Sequence, residues 1–362
     1  MERLRELNMN TSAIAIKRVN TLYLQIVSSD MAVLNRIHKH FAVTSPKAPF
    51  SKKFKMGIWD GKISFVNKTN MTMPFGLWEE LINFCKKDGI SVSFLNYSFE
   101  KICNSKVKKE YLKKFSDLVA MKDCDKIIRD YQLDAFHRTA MFESGIILAA
   151  TGAGKSLIIY NAIRFNMMTN RTKKIMLIVP SKSLVEQMYS DFKDEYGWDD
   201  IDDHVVRLHS DRPDKERKSV KPNMEKPILI TTYQSVVDRE VDFFEQFDGI
   251  IIDEVHLAKC ASIKDINRKT YNAKVRLGFT GTMPDRDDEG LIDFYTIVGY
   301  LGPIIYTITA KQLIEAGVLA EIDIKNVIVR YPNAFADKNR ERAYASEQSA
   351  IEKYEPRNSV IR

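Results

Sequence analysis

The sequence predicts an α/β protein: a parallel sheet with helices on both faces, built around a phosphate loop and preceded by a small α+β domain. Three observations carry that expectation. The apolar run Gly145-Ile146-Ile147-Leu148 leads into Ala149-Ala150-Thr151-Gly152-Ala153-Gly154-Lys155-Ser156 and then into helix-like Leu157 to Ala162, which reads as strand, loop, helix. From Lys126 onward strand-like and helix-like stretches alternate, as crossover-connected parallel strands do. A second apolar run, Gly249 to Ile252, ends in Asp253-Glu254-Val255-His256.

Composition bounds the function. A chain of 362 residues has room for two or three domains and a substantial core. No apolar run approaches the roughly twenty residues of a membrane span, and the charged start Met1 to Glu6 is no signal peptide. A cytoplasmic protein with no membrane partner is expected. The cysteines, Cys85, Cys103, Cys124 and Cys260, lack zinc or redox spacing, so reduced thiols are expected, with neither a disulfide nor a metal cluster. The net charge of +7 is unevenly spread, because residues 1 to 125 hold 21 Lys and Arg against 12 Asp and Glu. That third is the expected polyanion-binding surface, although a solvated lysine-rich face has the same charge.

In chain order, Leu22 to Val27 reads as a strand and Met31 to Phe41 as a helix with Val33, Leu34, Ile37 and Phe41 on one face. Phe54 to Trp59 and Lys62 to Val66 flank Asp60-Gly61, which predicts a hairpin. Phe75 to Lys87 reads as an amphipathic helix stopped by Gly89, before a strand at Ile90 to Leu95. Residues 1 to 100 should form the small domain. Lys52, Lys53, Lys55 and Lys62 lie around the hairpin beside Trp59, a set suited to gripping a phosphate backbone and stacking on an unpaired base. The competing reading is that Trp59 and Phe65 plug the domain core.

A lysine-rich helical connector is expected over residues 101 to 125, and the nucleotide-binding domain over residues 126 to 310. Its expected strands are Gly145 to Leu148, Lys174 to Val179, Val205 to Leu208, Pro227 to Thr232, Gly249 to Ile252 and Lys274 to Phe279. The expected helices are Ser156 to Met168, Ser183 to Tyr196, Tyr233 to Gln246 and Ala258 to Lys269. The charged stretch Ser210 to Lys226, with Pro213 and Pro222, predicts a surface loop.

The chemistry follows from strand ends. A loop of backbone N–H groups at a helix N-terminus suits a polyphosphate, and glycines at 152 and 154 allow close approach. Lys155 would meet the β- and γ-phosphates, and the Ser156 hydroxyl would hold Mg2+. Ala149 stands where the general phosphate-loop pattern has its first glycine. Asp253 and Glu254 end an apolar strand about a hundred residues after the loop. Asp253 would hold the magnesium and Glu254 would polarise the attacking water.

Together with His256 this stretch resembles a DExH box, and the order of further motifs resembles superfamily 2 helicases. The resemblance implies a RecA-like P-loop sheet, ATP and Mg2+ as cofactors, and DNA as partner. That DNA would be forked, branched or single-stranded, with RNA–DNA hybrids a further candidate. Arg129 to Ala135 resembles the segment whose glutamine reads adenine, which makes Gln132, with Arg129 beside it, the base-recognising residue. Val179 to Gln187, containing Ser181 and Lys182, is similar to motif Ia. Thr231 to Ser235, containing Thr232 and Gln234, is similar to a further strand-contacting motif, and Thr280-Gly281-Thr282 to motif III, which couples nucleotide state to movement.

Residues Gly57 to Ile63, Met73 to Leu77 and Asn83 to Cys85 resemble the N-terminal domain of UvsW-type phage recombination helicases. Gly302 to Leu319 and Val329 to Pro332 resemble their approach to a second motor domain. Only about 80 residues follow Thr282, too few for a second RecA-like domain. Residues 311 to 362 are accordingly expected to begin the connection to it, the chain being part of a longer helicase and incomplete for turnover alone. The alternatives are the motor of a restriction-type endonuclease, a nucleic-acid-binding module with a silent ATPase, and a small-molecule kinase.

Overall fold

The computed structural model describes residues 13–95, 103–104, 106–119, 127–209, 225–258, 260–287, 290–321, 330–333, 335 and 344–361. Most of the expected 210–226 loop, both ends of the 101–125 connector, Cys124 and Val329 lie outside them. The chain forms two compact units, residues 1–319 and 320–362.

The first unit opens with β1 (Ala13–Arg18), antiparallel to β2 (Tyr23–Val27) and parallel to β6 (Ser91–Phe94). Strand β5 (Thr72–Pro74) completes a four-stranded sheet in the order β5-β2-β1-β6. The helix Met31–His40 starts where the Asp30 carboxylate accepts the N–H groups of Ala32 and Val33 at 2.8 and 3.3 Å, satisfying donors a helix start leaves open. It buries Val33, Leu34 and Ile37. Trp78–Lys87 lies in the expected second helix, behind a 3-10 turn at Phe75–Leu77.

The expected hairpin is absent. Strand β4 (Lys62–Ser64) pairs instead with β3 (Ala42–Thr44), and Lys52–Lys55 is a helical turn. Alternation of Phe54, Met56 and Ile58 imitated a strand face. The Asp60 carboxylate takes the Lys62 N–H at 3.0 Å, and Phe54 folds back over Gly61, where a Cβ would sit 2.8 Å from its ring. That geometry turns the segment onto itself rather than back along a partner.

Seven parallel strands form the second sheet: β7 (Ser144–Ala149), β8 (Ile175–Val179), β9 (Val205–Leu208), β10 (Ile228–Thr232), β11 (Gly249–Ile252), β12 (Val275–Thr280) and β13 (Ile304–Ile308). Their order is β13-β7-β12-β11-β8-β10-β9. Every residue of β8, β10, β11 and β12 is buried, the mark of strands covered on both faces. The six expected strands are present, and β13 extends the sheet beyond β7. The expected 233–246 helix is two short helices, Tyr233–Val236 and Val241–Glu245. Its middle, Asp238-Arg239-Glu240, offers no apolar position, and the Lys269 ammonium takes the carbonyls of Val237 and Arg239 at 2.8 and 3.0 Å. The expected 183–196 helix is α-helical to Ser190 and then a π-turn, Asp191–Glu195.

One helix joins the two sheets. Leu291–Leu301 is buried from Phe294 through Leu301, between the seven-stranded sheet and residues of the 13–95 region. Its Tyr295 ring lies 5.6 Å from Phe41 and 5.4 Å from Phe65. At Gly76 a Cβ would stand 1.9 Å from the Val298 carbonyl oxygen, so only glycine lets these backbones meet. Ion pairs Arg18–Glu143 and Arg286–Glu80, both 3.0 Å, flank the seam. In the second unit the helices Tyr344–Glu352 and Glu355–Ile361 are described, and the rings of Tyr331, Phe335 and Tyr354 cluster at 4.5 to 5.3 Å.

Candidate nucleotide site and nucleic-acid surfaces

The strand order sets the site. Strand β12 lies between β7 and β11, so Thr280-Gly281-Thr282 emerges between the phosphate loop and the Asp253-Glu254 pair. Gly281 faces the loop, with a Cβ position 3.6 Å from the Ala149 carbonyl oxygen and 3.8 Å from Thr151 Oγ1. All these groups sit at carboxyl ends of strands, where open α/β sheets bind ligands.

Gly152 and Gly154 both have positive φ, 84° and 75°, and Gly154 caps the helix Lys155–Met168. Gln132, from the helix Asp130–Met141, lies behind the loop and donates through Nε2 to the Ala153 carbonyl at 2.9 Å. Its Oε1 accepts the Arg129 N–H at 3.0 Å. A side-chain amide has two N–H groups and two lone pairs, so one of each remains for a base.

Across the loop an unbroken path of side chains runs between motifs. Lys155 Nζ is 2.9 Å from Glu254 Oε1, and Glu254 Oε2 is 3.3 Å from His256 Nδ1. His256 Nδ1 is also 2.6 Å from Thr280 Oγ1, whose hydroxyl proton goes to the Thr282 carbonyl at 2.8 Å. The threonine is therefore the acceptor and His256 Nδ1 carries the proton. Glu254 itself is held at φ 46°, ψ 52°, a left-handed conformation uncommon outside glycine.

Asp253 is 6% exposed. Burial first, and the neighbouring Glu254 carboxylate second, push its carboxyl up to about 6, against the pull of Lys155 and the Glu254 N–H. Ser156 Oγ shares a 2.7 Å hydrogen bond with the Tyr196 hydroxyl. A cavity of about 380 Å³ opens beside them, its lining including Arg129, Gln132, Ser156, Asp191, Glu195 and Tyr196.

Two features fit a nucleoside polyphosphate with a divalent cation. At Gly154 a Cβ would stand 2.3 Å from Gln132 Nε2, so the loop keeps a bare backbone cradle. Asp253 is a buried carboxylate short of positive charge, which a cation would supply. Lys155, Ser156 and Asp253 are the residues that would hold the two. The bound group would supply a phosphoanhydride whose cleavage the cation assists.

The residues expected to meet nucleic acid are more scattered. Lys52, Lys53, Lys55 and Lys62 are exposed. Trp59 is half-buried, with its indole N–H donated to the Lys62 carbonyl at 2.8 Å, and it stands apart from both hydrophobic cores. Phe65 does pack against the core. Ser181 caps its helix through the Leu184 N–H at 3.3 Å, with Lys182 exposed beside it. Thr232 is buried and bonded to Ser235 at 2.9 Å, whereas Gln234 is exposed.

Sequence reasoning passed over Tyr196, Asp191 and Glu195, because nothing in their spacing announces a π-turn beside the loop. It also passed over Leu319, which lies against the loop, 2.9 Å from where a Gly152 Cβ would be.

The family described as "DNA helicase UvsW, N-terminal" matches residues 16–95, and "Type III restriction enzyme, res subunit" matches residues 125–285. The ATP-dependent DNA helicase uvsW of Enterobacteria phage T4 is 27% identical over 336 residues, 92% of this chain and 64% of that protein. In sequence and in fold the chain thus resembles superfamily 2 helicases of the UvsW type. The DNA 3'-5' translocase XPB2 of Sulfurisphaera tokodaii is 29% identical over 210 residues, 58% of this chain and 42% of its own. A crystal structure of the UvsW helicase from bacteriophage T4 shares the fold with TM-score 0.67 at 23% identity, covering 81% of this chain and 99% of that one. The chain thus spans under two thirds of the length of these two sequence relatives. No described helix is long and apolar enough to cross a membrane.

Proposed function

We propose that this chain is the nucleotide-binding and substrate-gripping part of an ATP-dependent DNA helicase or translocase. It would act on branched nucleic acid, including RNA–DNA hybrids, in phage recombination, replication or repair in the host cytoplasm. The observation that supports this best is the path Lys155–Glu254–His256–Thr280, which joins the phosphate loop, the acidic box and the motif III segment through side chains in contact. Lys155 has to leave Glu254 to meet a phosphate. Glu254 is then free to orient and deprotonate an attacking water, while His256 carries the change to Thr280. Gln132 and Arg129 would read the base, and Ser156 and Asp253 would hold magnesium. The domain scheme of residues 1–100, 101–125, 126–310 and 311–362 belongs to the same proposal.

The test separates ground-state binding from chemistry. In protein carrying every motor domain, Lys155→Ala should abolish binding of a fluorescent ATP analogue. Glu254→Gln should bind it and lose turnover by about 10²-fold or more. Equal loss of affinity in both variants would overturn the division of roles. The match to the restriction-enzyme motor segment keeps one alternative, an endonuclease motor subunit, which the same assay distinguishes by DNA strand breaks.

A further inference from the structure

The segment 47–63 carries an exposed group of side chains that nothing so far explains. Phe50, Met56 and Ile58 are 83%, 71% and 68% exposed. Three large apolar groups held in water on one short segment are a standing cost, which a bound partner would remove. The backbone beneath them is well tied. Ser45 N–H donates to the Gly61 carbonyl at 2.8 Å, Ile58 N–H to Lys53 at 2.9 Å, Gly57 N–H to Phe54 at 3.0 Å, and the Trp59 indole to Lys62. Gly57 and Gly61 take the left-handed turns, at φ 69° and 79°. This is a fixed knuckle.

Charge identifies the partner. Lys47, Lys52, Lys53, Lys55 and Lys62 stand among these apolar groups, and the one acid of the segment, Asp60, is spent on the Lys62 N–H. A polyanion with flat apolar faces matches both halves: lysines meet phosphates and apolar tips meet unstacked bases. Intact duplex offers the phosphates alone, because its bases are stacked inside. A membrane-lying segment would need a long amphipathic helix, and the helix here is the single turn Lys52–Lys55.

We propose that this knuckle seats the first unpaired bases at a duplex-to-single-strand junction, on Phe50, Met56 and Ile58, with the surrounding lysines on the flanking phosphates. The proposal rests on the helicase reading and adds to it the part of the substrate gripped and the residues that grip it. Trp59, the aromatic that the sequence singles out, acts here as a brace.

The experiment uses the full chain without nucleotide and two probes, forked DNA with 2-aminopurine at the first unpaired position and blunt duplex of equal length. Phe50→Ala/Met56→Ala/Ile58→Ala should weaken fork binding roughly five- to hundredfold, the range that removal of base stacking gives, and leave duplex binding within about twofold. The 2-aminopurine signal should respond to the wild-type chain and not to this variant. Lys52→Ala/Lys53→Ala/Lys55→Ala should weaken both probes and flatten the salt dependence by about 0.9 in log–log slope for each phosphate no longer neutralised. Because the truncated side chains are exposed, an unchanged melting temperature serves as the folding control. Equal losses on fork and duplex, an unmoved base signal, or loss of self-association in the apolar variant would overturn the proposal, the last by making a second copy the occupant. Junction binding that follows these residues in a chain that binds no ATP would support the knuckle while removing the helicase reading.

Discussion

Asp253 makes a measurable demand on the free protein. Its folded-state carboxyl titrates near 6, above the ordinary 3.8, so the folded chain holds a proton that the unfolded chain has released between those values. Its contribution to stability is therefore present below about pH 4, declines as pH rises, and is fully lost above about 6. Asp253→Asn removes the charge without the volume. At pH 7 the nucleotide-free variant should be more stable by roughly 1–3 kcal/mol, and it should lose the slope that wild type shows between pH 4 and 6. Thermal melts across that range check both statements, and a variant less stable at pH 7 would contradict them. Stability withheld at a buried carboxylate is a common cost of holding a cation. The residues proposed for this site stand out in the sequence because such chemistry requires particular side chains at strand ends. Tyr196 was not, because a hydroxyl that braces Ser156 can arrive from any neighbouring turn.

At the level of elements, the parallel strands were readable because burial on both faces leaves unbroken apolar runs such as Ile175-Met176-Leu177-Ile178-Val179. The helix Leu291–Leu301 went unread for a related reason. It is apolar nearly all round, so it lacks the one-sided period by which surface helices announce themselves. The false hairpin shows the converse, an alternating pattern with no neighbouring strand to receive it. Gly154 is the element boundary that tolerates least. It combines a left-handed φ with close packing against Gln132, so Gly154→Ala should cost about 1–3 kcal/mol in stability. The same change should displace Gln132 and weaken binding of a fluorescent ATP analogue at least tenfold. Wild-type affinity in a folded Gly154→Ala chain would show that the cradle adapts.

For the unit spanning residues 1–319, the seam under Leu291–Leu301 predicts how it comes apart. Trp78, like Trp59, lies within residues 13–95, and Trp198 lies beside the phosphate-loop helix. Their fluorescence should report one coincident unfolding transition, since the regions around the two sheets share a core cluster. Gly76→Val should lower the midpoint for both reporters together, because any side chain there meets the Val298 carbonyl. Two separated transitions in the wild type would mean that the seam does not couple the regions around the two sheets.

That seam also bears on how the molecule can be taken apart and recombined. Residues 13–95 have the length of a portable module, yet Phe41 and Phe65 pack on Tyr295 of the later helix, and Leu77 lies against its Gly299. Cut free, the segment would turn an unfinished interior toward water and invite aggregation. Grafted onto another motor, it would need that motor's own version of Leu291–Leu301, including a carbonyl placed to meet a bare glycine. The transferable part is the domain together with the helix that closes it, two pieces separated by some two hundred residues of chain.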